Sequence, residues 1–345
     1  MSLRSEIFEQ PAVLARLLQA QAGPARVVAE AIRGRGVHWV FIAARGSSDH
    51  AALYAKYLWG ARNGLPVALA APSLFTIYRR PPRLEGALVV GISQSGQSPD
   101  IVSVLAEARR QGAPTLAITN EPVSPLAAEA AMVLATGSGP ERAIAATKTY
   151  TAQLMAIALL STALSGDDDD GAALARVPEL VAAALGLDAA TEQAARRHAR
   201  MTQCVVLGRG FDYATAQEWS LKLKELTYVV AAPYSSADFR HGPVAIAQRG
   251  FPVLAVLPDG EAFGDLMALL AALVADRGVE PIVLSNREEA LALAPTSLRL
   301  PAGTPEWLSP LVSIVPAQLF CYHLARAMGH DPETPRGLSK VTRTW

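Results

Sequence analysis

The chain has 345 residues, which is too long for one average domain and long enough for two. Hydrophobic residues make up 51% of it, and lysine plus arginine equal aspartate plus glutamate at 31 each. A chain without net charge argues against non-specific binding to nucleic acid or to an acidic membrane surface, so any anion site must be local.

The two cysteines point to a reducing compartment. Cys204 falls in an apolar, strand-like run and Cys321 in a helical one. Neither has a metal-type partner nearby, so we expect two buried thiols. The N-terminal residues are amphipathic and contain no signal-peptide core, and no stretch is expected to reach the length of a transmembrane helix. The sequence thus predicts a cytoplasmic protein with no membrane partner.

The chain repeats itself at a constant spacing. Two strand-like runs end in the same Arg-Gly dipeptide, at Arg45 and at Arg209, an offset of 164 residues (209 minus 45). A second pair of runs begins at Gly86 and Gly250 with the same offset, and each is followed by a helical pattern, a glycine turn and another strand. Alternating strands and helices indicate a mainly parallel sheet covered on both faces, and the constant offset indicates a duplicated domain.

We therefore predict an α/β chain of two duplicated three-layer αβα domains, each with a mainly parallel central sheet. The predicted segments are an N-terminal helical segment at 1–35, a first domain at 36–165, a linker and helix at 166–199, a second domain at 200–329 and a C-terminal tail at 330–345. The four aspartates of the linker, residues 167–170, are expected to form a solvated turn, because the run offers a cation no other ligand type.

A loop rich in hydroxyl groups follows the strand that begins at Gly86. It contains Ser93, Gln94, Ser95, Gly96 and Ser98 and leads into a helix. Ligands of open parallel sheets bind beyond the carboxyl ends of the strands, where glycine lets the backbone come close and helix N-terminal amides attract anions. The alternative is an ordinary loop with serine as helix cap, but capping accounts for only one or two hydroxyls. The loop therefore predicts a phosphomonoester site that needs no lysine.

Further polar residues are expected to border this loop, which we call the serine loop. Ser47 and Ser48 end the preceding strand of the first copy, and Lys148 opens another helix. At the position that matches the serine loop, the second copy carries Asp259 and Glu261, whose charges would repel a phosphate. We therefore expect one phosphate site in each chain.

Nucleotide-binding motifs do not fit the sequence. It contains no G-x-x-x-x-G-K-[ST] loop, and the glycines at Gly208 and Gly210 lack the third glycine of a dinucleotide fingerprint. We expect neither an organic cofactor nor a metal ion.

Seven strings spread over nearly the whole chain carry a resemblance to a known family. They are RGSSDHA, SQSGQSPD, AATKTY, VLGRGFDYA, LKLKE, RHGP and GLSKVT. Together they resemble the paired-SIS (sugar isomerase) proteins, and they are most similar to the isomerising glucosamine-6-phosphate deaminases and to the isomerase half of glutamine–fructose-6-phosphate aminotransferase. The resemblance implies two SIS domains and a small-molecule sugar phosphate as ligand.

The resemblance assigns sugar-phosphate contacts to five residues that it matches directly, and the loop argument adds neighbouring positions. The complete set of candidate binding residues is Gly46, Ser47, Ser48, Ser93, Gln94, Ser95, Gly96, Ser98, Ala146 and Lys148. Ala146 stands where the aminotransferase has a sugar-contacting serine, so contacts to the sugar hydroxyls are expected to differ.

Four residues match the family's catalytic positions. Glu225, on a helix with Lys222, would move a proton between the first two sugar carbons, and Lys222 or the tail residue Lys340 would stabilise negative charge or form an imine with the ketose. His241 matches a histidine that opens the sugar ring and is delivered by a neighbouring subunit, which implies a homodimer. On pattern alone, an exposed i,i+3 ion pair is favoured for Glu225 and Lys222 and an exposed position for the tail lysine Lys340, while His241 could as well be a turn residue. The joint match to one family is what favours the catalytic interpretation.

The sequence contains no cysteine-nucleophile glutaminase domain ahead of the SIS region, which argues against amidotransfer from glutamine. The function predicted from the resemblance is conversion of glucosamine 6-phosphate, or a close relative, to fructose 6-phosphate and ammonia. The alternatives are a fructosamine-6-phosphate deglycase, a galactosamine-6-phosphate deaminase/isomerase and a non-catalytic sugar-phosphate sensor. A sensor is disfavoured because the chain has neither an appended helix-turn-helix nor a basic excess.

Overall fold

The computed structural model describes residues 2–340, and these residues form two compact units. The first unit comprises residues 9–141 and 146–176 together with Ser339 and Lys340. The second unit comprises residues 2–8, 142–145 and 177–338. Each unit contains one parallel sheet with its own helices.

The helices and strands of the described residues alternate between residues 39 and 165 and again between residues 203 and 327, as the sequence pattern predicts. The helices are α1 (Leu3–Phe8), α2 (Gln10–Arg33), α3 (Ser47–Asn63), α4 (Ser73–Thr76), α5 (Pro99–Arg110), α6 (Pro125–Glu129), α7 (Lys148–Ser165), α8 (Asp168–Ala175), α9 (Val177–Leu185), α10 (Asp188–Arg197), α11 (Tyr213–Thr227), α12 (Ser236–Arg240), α13 (Phe263–Arg277), α14 (Glu288–Leu291) and α15 (Ser309–Ala327). The strands are β1 (Trp39–Ala43), β2 (Val67–Leu69), β3 (Ala87–Ser93), β4 (Thr115–Thr119), β5 (Met132–Ala135), β6 (Gln203–Gly208), β7 (Val230–Ser235), β8 (Pro252–Val256), β9 (Glu280–Ser285) and β10 (Thr296–Arg299). Short 3₁₀ turns lie at Gly210–Asp212, Pro243–Ile246 and Glu306–Leu308.

The sheet of the first unit has the strand order β2-β1-β3-β4-β5, and every neighbouring pair is parallel. The central strand β3 is buried along its whole length, which explains its nearly continuous apolar sequence. Val89 of this strand packs in a core cluster with Phe41 of β1 and with Ile101 and Leu105 of α5.

The sheet of the second unit repeats the same topology. Its order is β10-β9-β8-β6-β7, which reversed gives the order of the first sheet, strand for strand, and its pairs are also parallel. The first residue of β6, Gln203, lies 164 residues after the first residue of β1, Trp39 (203 minus 39). The duplication and the α/β fold predicted from the sequence are therefore confirmed.

The helix that ends the second unit is unusually apolar. Residues Glu306–Ala327 are long and hydrophobic enough to cross a membrane by length and composition, which the sequence analysis did not anticipate, but the whole window is buried inside the protein. That burial is the pattern of a core helix. Cys321 lies in this helix and Cys204 in β6, and both are buried free thiols, as predicted.

The acidic linker is more ordered than the sequence suggested. Asp167 accepts a hydrogen bond from the backbone N–H of Asp169 at 2.9 Å and caps α8, and Asp170 lies in the first turn of that helix. The buried Asp170 carboxylate pairs with Arg62 at 2.5 Å. The expectation of a solvated turn is therefore wrong for Asp170, because the N-terminus of a helix and an arginine both stabilise a carboxylate there.

Candidate active site

The serine loop lies beside the loop that follows β1. β1 and β3 are neighbours in the sheet, and Ala43 pairs with Gly91, so both loops leave the carboxyl edge of the first sheet. Nε of Arg45, in the loop after β1, donates to the fully buried carboxylate of Asp100 at 2.9 Å. This ion pair connects the two loops that carry most of the candidate phosphate-binding residues.

The serine loop is tight because only glycine fits at its centre. Gly96 has φ +61°, and a Cβ at this position would collide with the side chain of Ser124. The N–H of Gly96 donates to Oγ of Ser93 at 3.1 Å, and the N–H of Gln97 donates to Oγ of Ser95 at 3.3 Å. The loop therefore folds back on its own hydroxyl groups, which accept hydrogen bonds from two of its backbone amides.

Ser98 does not act as the helix cap that the alternative interpretation requires. It is the residue before α5 and has extended backbone angles (φ −69°, ψ 113°), but its side chain makes no capping hydrogen bond. Ser95 and Ser98 are both partly exposed, and so is Gln94, whose carbonyl accepts from the N–H of Asn120 at 3.2 Å. The hydroxyl of Ser98 thus remains accessible to a ligand at the start of a three-turn helix.

The two serines after β1 differ in burial. Gly46, with φ +56°, precedes α3, and Ser47 is the first residue of that helix and is partly exposed. Ser48 is buried, and its Oγ accepts a hydrogen bond from Nε2 of Gln153 at 3.1 Å. Of the two predicted hydroxyls, Ser47 is therefore the one that a ligand reaches from solvent.

Lys148, the first residue of α7, is almost completely buried. Its Nζ lies 2.6 Å from Oε2 of Glu9, which is one-third exposed. Ala146, two residues earlier, is partly buried. The pair with Glu9 gives Lys148 a structural role, and its predicted contact to substrate stays a prediction.

The tail lysine belongs to the first unit and is held there by a buried carboxylate. Nζ of Lys340 lies 2.6 Å from Oε2 of Glu141, and the exposed fractions of the two side chains are 25% and 0%. Oε1 of Glu141 accepts the N–H of Thr147 at 2.9 Å and the N–H of Thr149 at 3.1 Å. Lys340 is therefore not the loosely solvated tail lysine that its position alone would suggest.

In the second unit, α11 carries a charged cluster on one side. Nζ of Lys222 lies 2.5 Å from Oε2 of Glu225 and 3.3 Å from Oε1 of Glu218. Lys222 is 1% exposed and Glu218 is fully buried, whereas 22% of the Glu225 side chain is exposed. The i,i+3 pair predicted from the sequence is present, but it is not an exposed pair.

The surroundings of Lys222 determine its charge. Burial alone would lower the pKa of Lys222, but the neighbouring carboxylates of Glu218 and Glu225 outweigh burial and raise it. Lys222 is therefore an ammonium at neutral pH and a poor nucleophile. It can orient Glu225, whose carboxylate is the one member of the cluster that a ligand reaches.

His241 follows α12 in the second unit and is exposed. Its backbone N–H donates to the carbonyl of Asp238 at 3.1 Å, and its imidazole has no hydrogen bond or ion pair to any residue in the range 2–340. It makes no contact of this kind with Lys222 or Glu225, which belong to the same unit. The structure thus leaves the imidazole available to another molecule.

The loop of the second copy that corresponds to the serine loop holds a carboxylate of the protein itself. Gly260 lies 164 residues after Gly96. Oε2 of Glu306 accepts the N–H of Glu261 at 2.9 Å, and Oε1 accepts the N–H of Ala262 at 3.1 Å. A Cβ at Gly260 would overlap the Glu306 carboxyl group. This occupation, and not only the charges of the loop, argues against a phosphate there.

Three carboxylates that organise these groups were not predicted from the sequence. Glu218 lies four residues before Lys222, so helical spacing was a usable signal. Glu141 is 199 residues away from its partner Lys340, and Glu306 is 45 residues away from Glu261. No local pattern indicates contacts at such separations.

Comparison with protein-family models identifies the fold family. The SIS domain model matches residues 36–163 and again residues 198–328, which is most of the chain. The chain belongs to the SIS domain family. Both SIS domains carry the five-stranded parallel sheet described above.

Nearly the whole chain is similar to part of a longer enzyme. The chain is 35% identical to the glutamine–fructose-6-phosphate aminotransferase (isomerizing) of Thermococcus kodakarensis, over 97% of the chain and 56% of that protein. The enzyme of the same name from Zymomonas mobilis is 33% identical over 98% of the chain and 58% of its own length. The chain therefore spans a little over half the length of these relatives.

Several solved structures superpose on nearly the whole chain. A protein from Silicibacter pomeroyi DSS-3, described as an inferred phosphosugar isomerase, has 35% identity and a TM-score of 0.87 and covers 96% of this chain and 100% of its own. The C-terminal domain of glucosamine-fructose-6-phosphate aminotransferase from Francisella tularensis has 29% identity and a TM-score of 0.86, with 96% and 98% covered. Glucosamine-6-phosphate deaminase from Thermotoga maritima, at 21% identity and TM-score 0.78, shares the fold.

Proposed function

We propose that this SIS protein is an enzyme that isomerises an amino sugar phosphate and releases its amino group, with glucosamine 6-phosphate as the preferred substrate. The observation that carries the proposal is the state of Glu225. Its carboxylate is held by a buried ammonium and yet remains partly exposed. That arrangement suits a base that must approach a substrate in a fixed direction.

The phosphate end of the substrate is assigned to the serine loop. Gly96, the exposed residue Gln97 and the partly exposed Ser98 directly precede α5, where the helix dipole favours an anion. The second copy supports this assignment, because the amides of Glu261 and Ala262, which match Gln97 and Ser98, bind the carboxylate of Glu306. The same backbone arrangement can therefore hold an oxyanion without lysine.

The proposed reaction is glucosamine 6-phosphate plus water to fructose 6-phosphate plus ammonia. After His241 assists ring opening by moving a proton from the anomeric hydroxyl to the ring oxygen, Glu225 removes the proton at C2. The C2–H electrons form a C1–C2 double bond, and the C1 oxygen takes up a proton. Return of a proton to C1 gives an imine at C2, and addition of water there expels ammonia. Lys222 stabilises the negative charge that develops near Glu225.

The proposal includes a homodimer in which His241 acts on the substrate of the neighbouring subunit. The exposed imidazole, which has no polar partner in the described part of the chain, supports a role towards another molecule. The buried free thiols Cys204 and Cys321 are in keeping with action in the cytoplasm. Sedimentation analysis tests the dimer, and a mixture of inactive His241→Ala and inactive Glu225→Gln chains should recover activity if the histidine acts across subunits.

The substrate assignment is tested by side-by-side turnover of candidate compounds. We expect ammonia and fructose 6-phosphate from glucosamine 6-phosphate at a rate at least about tenfold above the rates with galactosamine 6-phosphate and fructosamine 6-phosphate. Ala146 supplies no hydroxyl to the sugar, so the preferred sugar has to be measured. A preference for galactosamine 6-phosphate would change the substrate and keep the reaction, whereas a preference for fructosamine 6-phosphate would move the imine from C2 to C1 and make glucose 6-phosphate the product. Failure to turn over any of the three, with sugar phosphate still bound, would favour a sensor.

A further inference from the structure

We infer that Glu141 is a positioning residue that anchors the tail lysine Lys340 next to the loop that opens α7. The inference rests on the proposed function, because the ketose that the tail lysine would bind is the product of the proposed reaction. Glu141 is not among the candidate residues predicted from the sequence. None of its hydrogen bonds described above reaches the serine loop.

Because the Glu141 side chain is fully buried, its negative charge needs hydrogen-bond donors or a cation as partners. A fully buried carboxylate is costly unless charge and hydrogen bonds compensate it. Glu141 receives the backbone N–H groups of Thr147 and Thr149, the hydroxyl of Thr149 at 2.7 Å and the ammonium of Lys340 at 2.6 Å. Lys340 supplies the only positive charge among these partners. The tail lysine therefore completes the site that stabilises the Glu141 carboxylate.

The two carboxylate oxygens have separate tasks. Oε1 accepts the amides of Thr147 and Thr149 and so fixes the loop that carries Ala146, the candidate sugar contact. Oε2 accepts Lys340 and the Thr149 hydroxyl. One rigid carboxylate thus sets the position of the lysine Nζ relative to the loop. Such fixed placement is what a lysine needs to meet a substrate carbon repeatedly in the same geometry.

Glu141 can also accept a proton from the Lys340 ammonium, which cannot act as a nucleophile while it is fully protonated. Transfer of one proton from Nζ of Lys340 to Oε2 of Glu141 leaves a neutral amine and a neutral carboxyl group. The amine lone pair then forms a bond to C2 of the ketose, and the carbonyl oxygen leaves as water after it has taken up the proton of the carboxyl group and the second nitrogen proton. The products are a protonated imine and a regenerated Glu141 carboxylate, so atoms and charge balance.

Glu141→Gln separates the two tasks of this residue. The amide oxygen of glutamine can still accept from the two loop amides, but its NH₂ group cannot accept from the Lys340 ammonium. Thr149→Val is the matched control, because it removes the other contact to Oε2 without a change in charge. The first readout is acylation of lysines by acetic anhydride followed by mass spectrometry, with exposed Lys56 as internal reference. The second readout is reductive trapping of fructose 6-phosphate on Lys340 with borohydride.

In the unmodified protein we expect Lys340 to be acylated several-fold more slowly than Lys56. In Glu141→Gln, acylation of Lys340 should rise by about fivefold and trapping of fructose 6-phosphate on Lys340 should fall by at least about tenfold, while Thr149→Val changes either by less than about twofold. Equal acylation of Lys340 and Lys56 in the unmodified protein would overturn the anchor even if Glu141→Gln fails to fold. Unchanged trapping in a folded Glu141→Gln protein would overturn the positioning role.

The same experiment distinguishes failure of this inference from failure of the proposed function. Turnover of amino sugar phosphates by a protein that never traps ketose on Lys340 would overturn the role of the pair and leave the reaction intact. Trapping that depends on Glu141, in a protein that releases no ammonia from any amino sugar phosphate, would support the anchor and reject the proposed reaction.

Discussion

The carboxylate of Glu306 accepts the backbone N–H of Glu261 at 2.9 Å, in the loop of the second SIS domain that corresponds to the serine loop of the first. The two copies share one sheet topology but differ in what their loops hold. In the second domain a side chain of the protein occupies the amides, and in the first domain Ser98 keeps an accessible hydroxyl at the matching helix start. Duplication with divergence thus explains why a chain with two similar domains is expected to bind one phosphate.

Removal of this internal carboxylate should destabilise the second unit. Glu306→Ala leaves the amides of Glu261 and Ala262 without their acceptor, and we expect a loss of about 1–3 kcal/mol in the free energy of unfolding. When Asp259→Asn and Glu261→Gln are added to remove the charges that repel an anion, inorganic phosphate should raise the melting temperature of the combined variant more than that of the unmodified protein, because the amides become available to an anion. Glu85→Ala, at an exposed position, is the control. Equal responses to phosphate in the combined variant, the control and the unmodified protein would contradict this interpretation of the loop.

Gly96→Ala tests the tightness of the serine loop. The new Cβ would meet Ser124, and the backbone has φ +61°. We expect phosphate and sugar-phosphate affinity to fall by at least about tenfold. The free energy of unfolding should fall by more than the cost of an alanine in the left-handed conformation, which is roughly 1–2 kcal/mol. Gly112→Ala is the matched control, because Gly112 has φ +78° but nothing within 4 Å of a Cβ. Isothermal titration and thermal melting measure both effects, and identical behaviour of the two variants would exclude a steric role for Gly96.

The charged cluster on α11 predicts that substitution of Lys222 lowers both stability and turnover, and that a second substitution restores only stability. Lys222→Met removes the ammonium beside the fully buried Glu218, and we expect a loss of about 3–5 kcal/mol in unfolding free energy together with loss of turnover. Addition of Glu218→Gln should restore most of the stability, since the buried negative charge beside position 222 is then removed, while turnover stays low because Glu225 has lost the group that orients it. Urea unfolding and ammonia release distinguish the two effects. Recovery of turnover in the double variant would argue against a role for Lys222 in the reaction.

A buried carboxyl group in the second unit makes stability depend on pH. Burial raises the pKa of Asp212 from 3.8 to about 6, although hydroxyl groups of Ser309 and Ser313 donate to it. The folded protein therefore keeps a proton on Asp212 that the unfolded chain releases, so this contribution is fully present below about pH 4 and is lost as the pH rises through about 6, on the order of 3 kcal/mol. In Asp212→Asn the loss should be absent. Urea unfolding of both proteins from pH 4 to 7 measures the difference, and parallel curves would contradict the assignment.

Elements and repeats could be predicted because they depend on local patterns. The apolar run of β3 and the offset between Arg45 and Arg209 are visible in the sequence, and both describe the structure correctly. The serine loop could be recognised because a strand, a glycine and a helix start follow one another within a few residues. Such features need no knowledge of how distant segments meet.

The contacts that organise the candidate site could not be predicted in the same way. Glu141 meets Lys340 across 199 residues, and Lys148 meets Glu9 across 139 residues. Each pair consists of common charged residues whose neighbours give no sign of burial. Their roles depend on tertiary packing, which decides whether a lysine on a helix or in a tail is solvated or paired with a buried carboxylate.

Turnover of glucosamine 6-phosphate by Glu225→Gln, measured as release of ammonia and fructose 6-phosphate, shows whether Glu225 is the base. Glu179→Gln, an exposed glutamate of the same unit, is the control. If Glu225 is the base, its variant should bind sugar phosphate with unchanged affinity and lose at least about two orders of magnitude in turnover, whereas the control should match the unmodified protein. Comparable release of ammonia by Glu225→Gln and the unmodified protein would contradict the central claim.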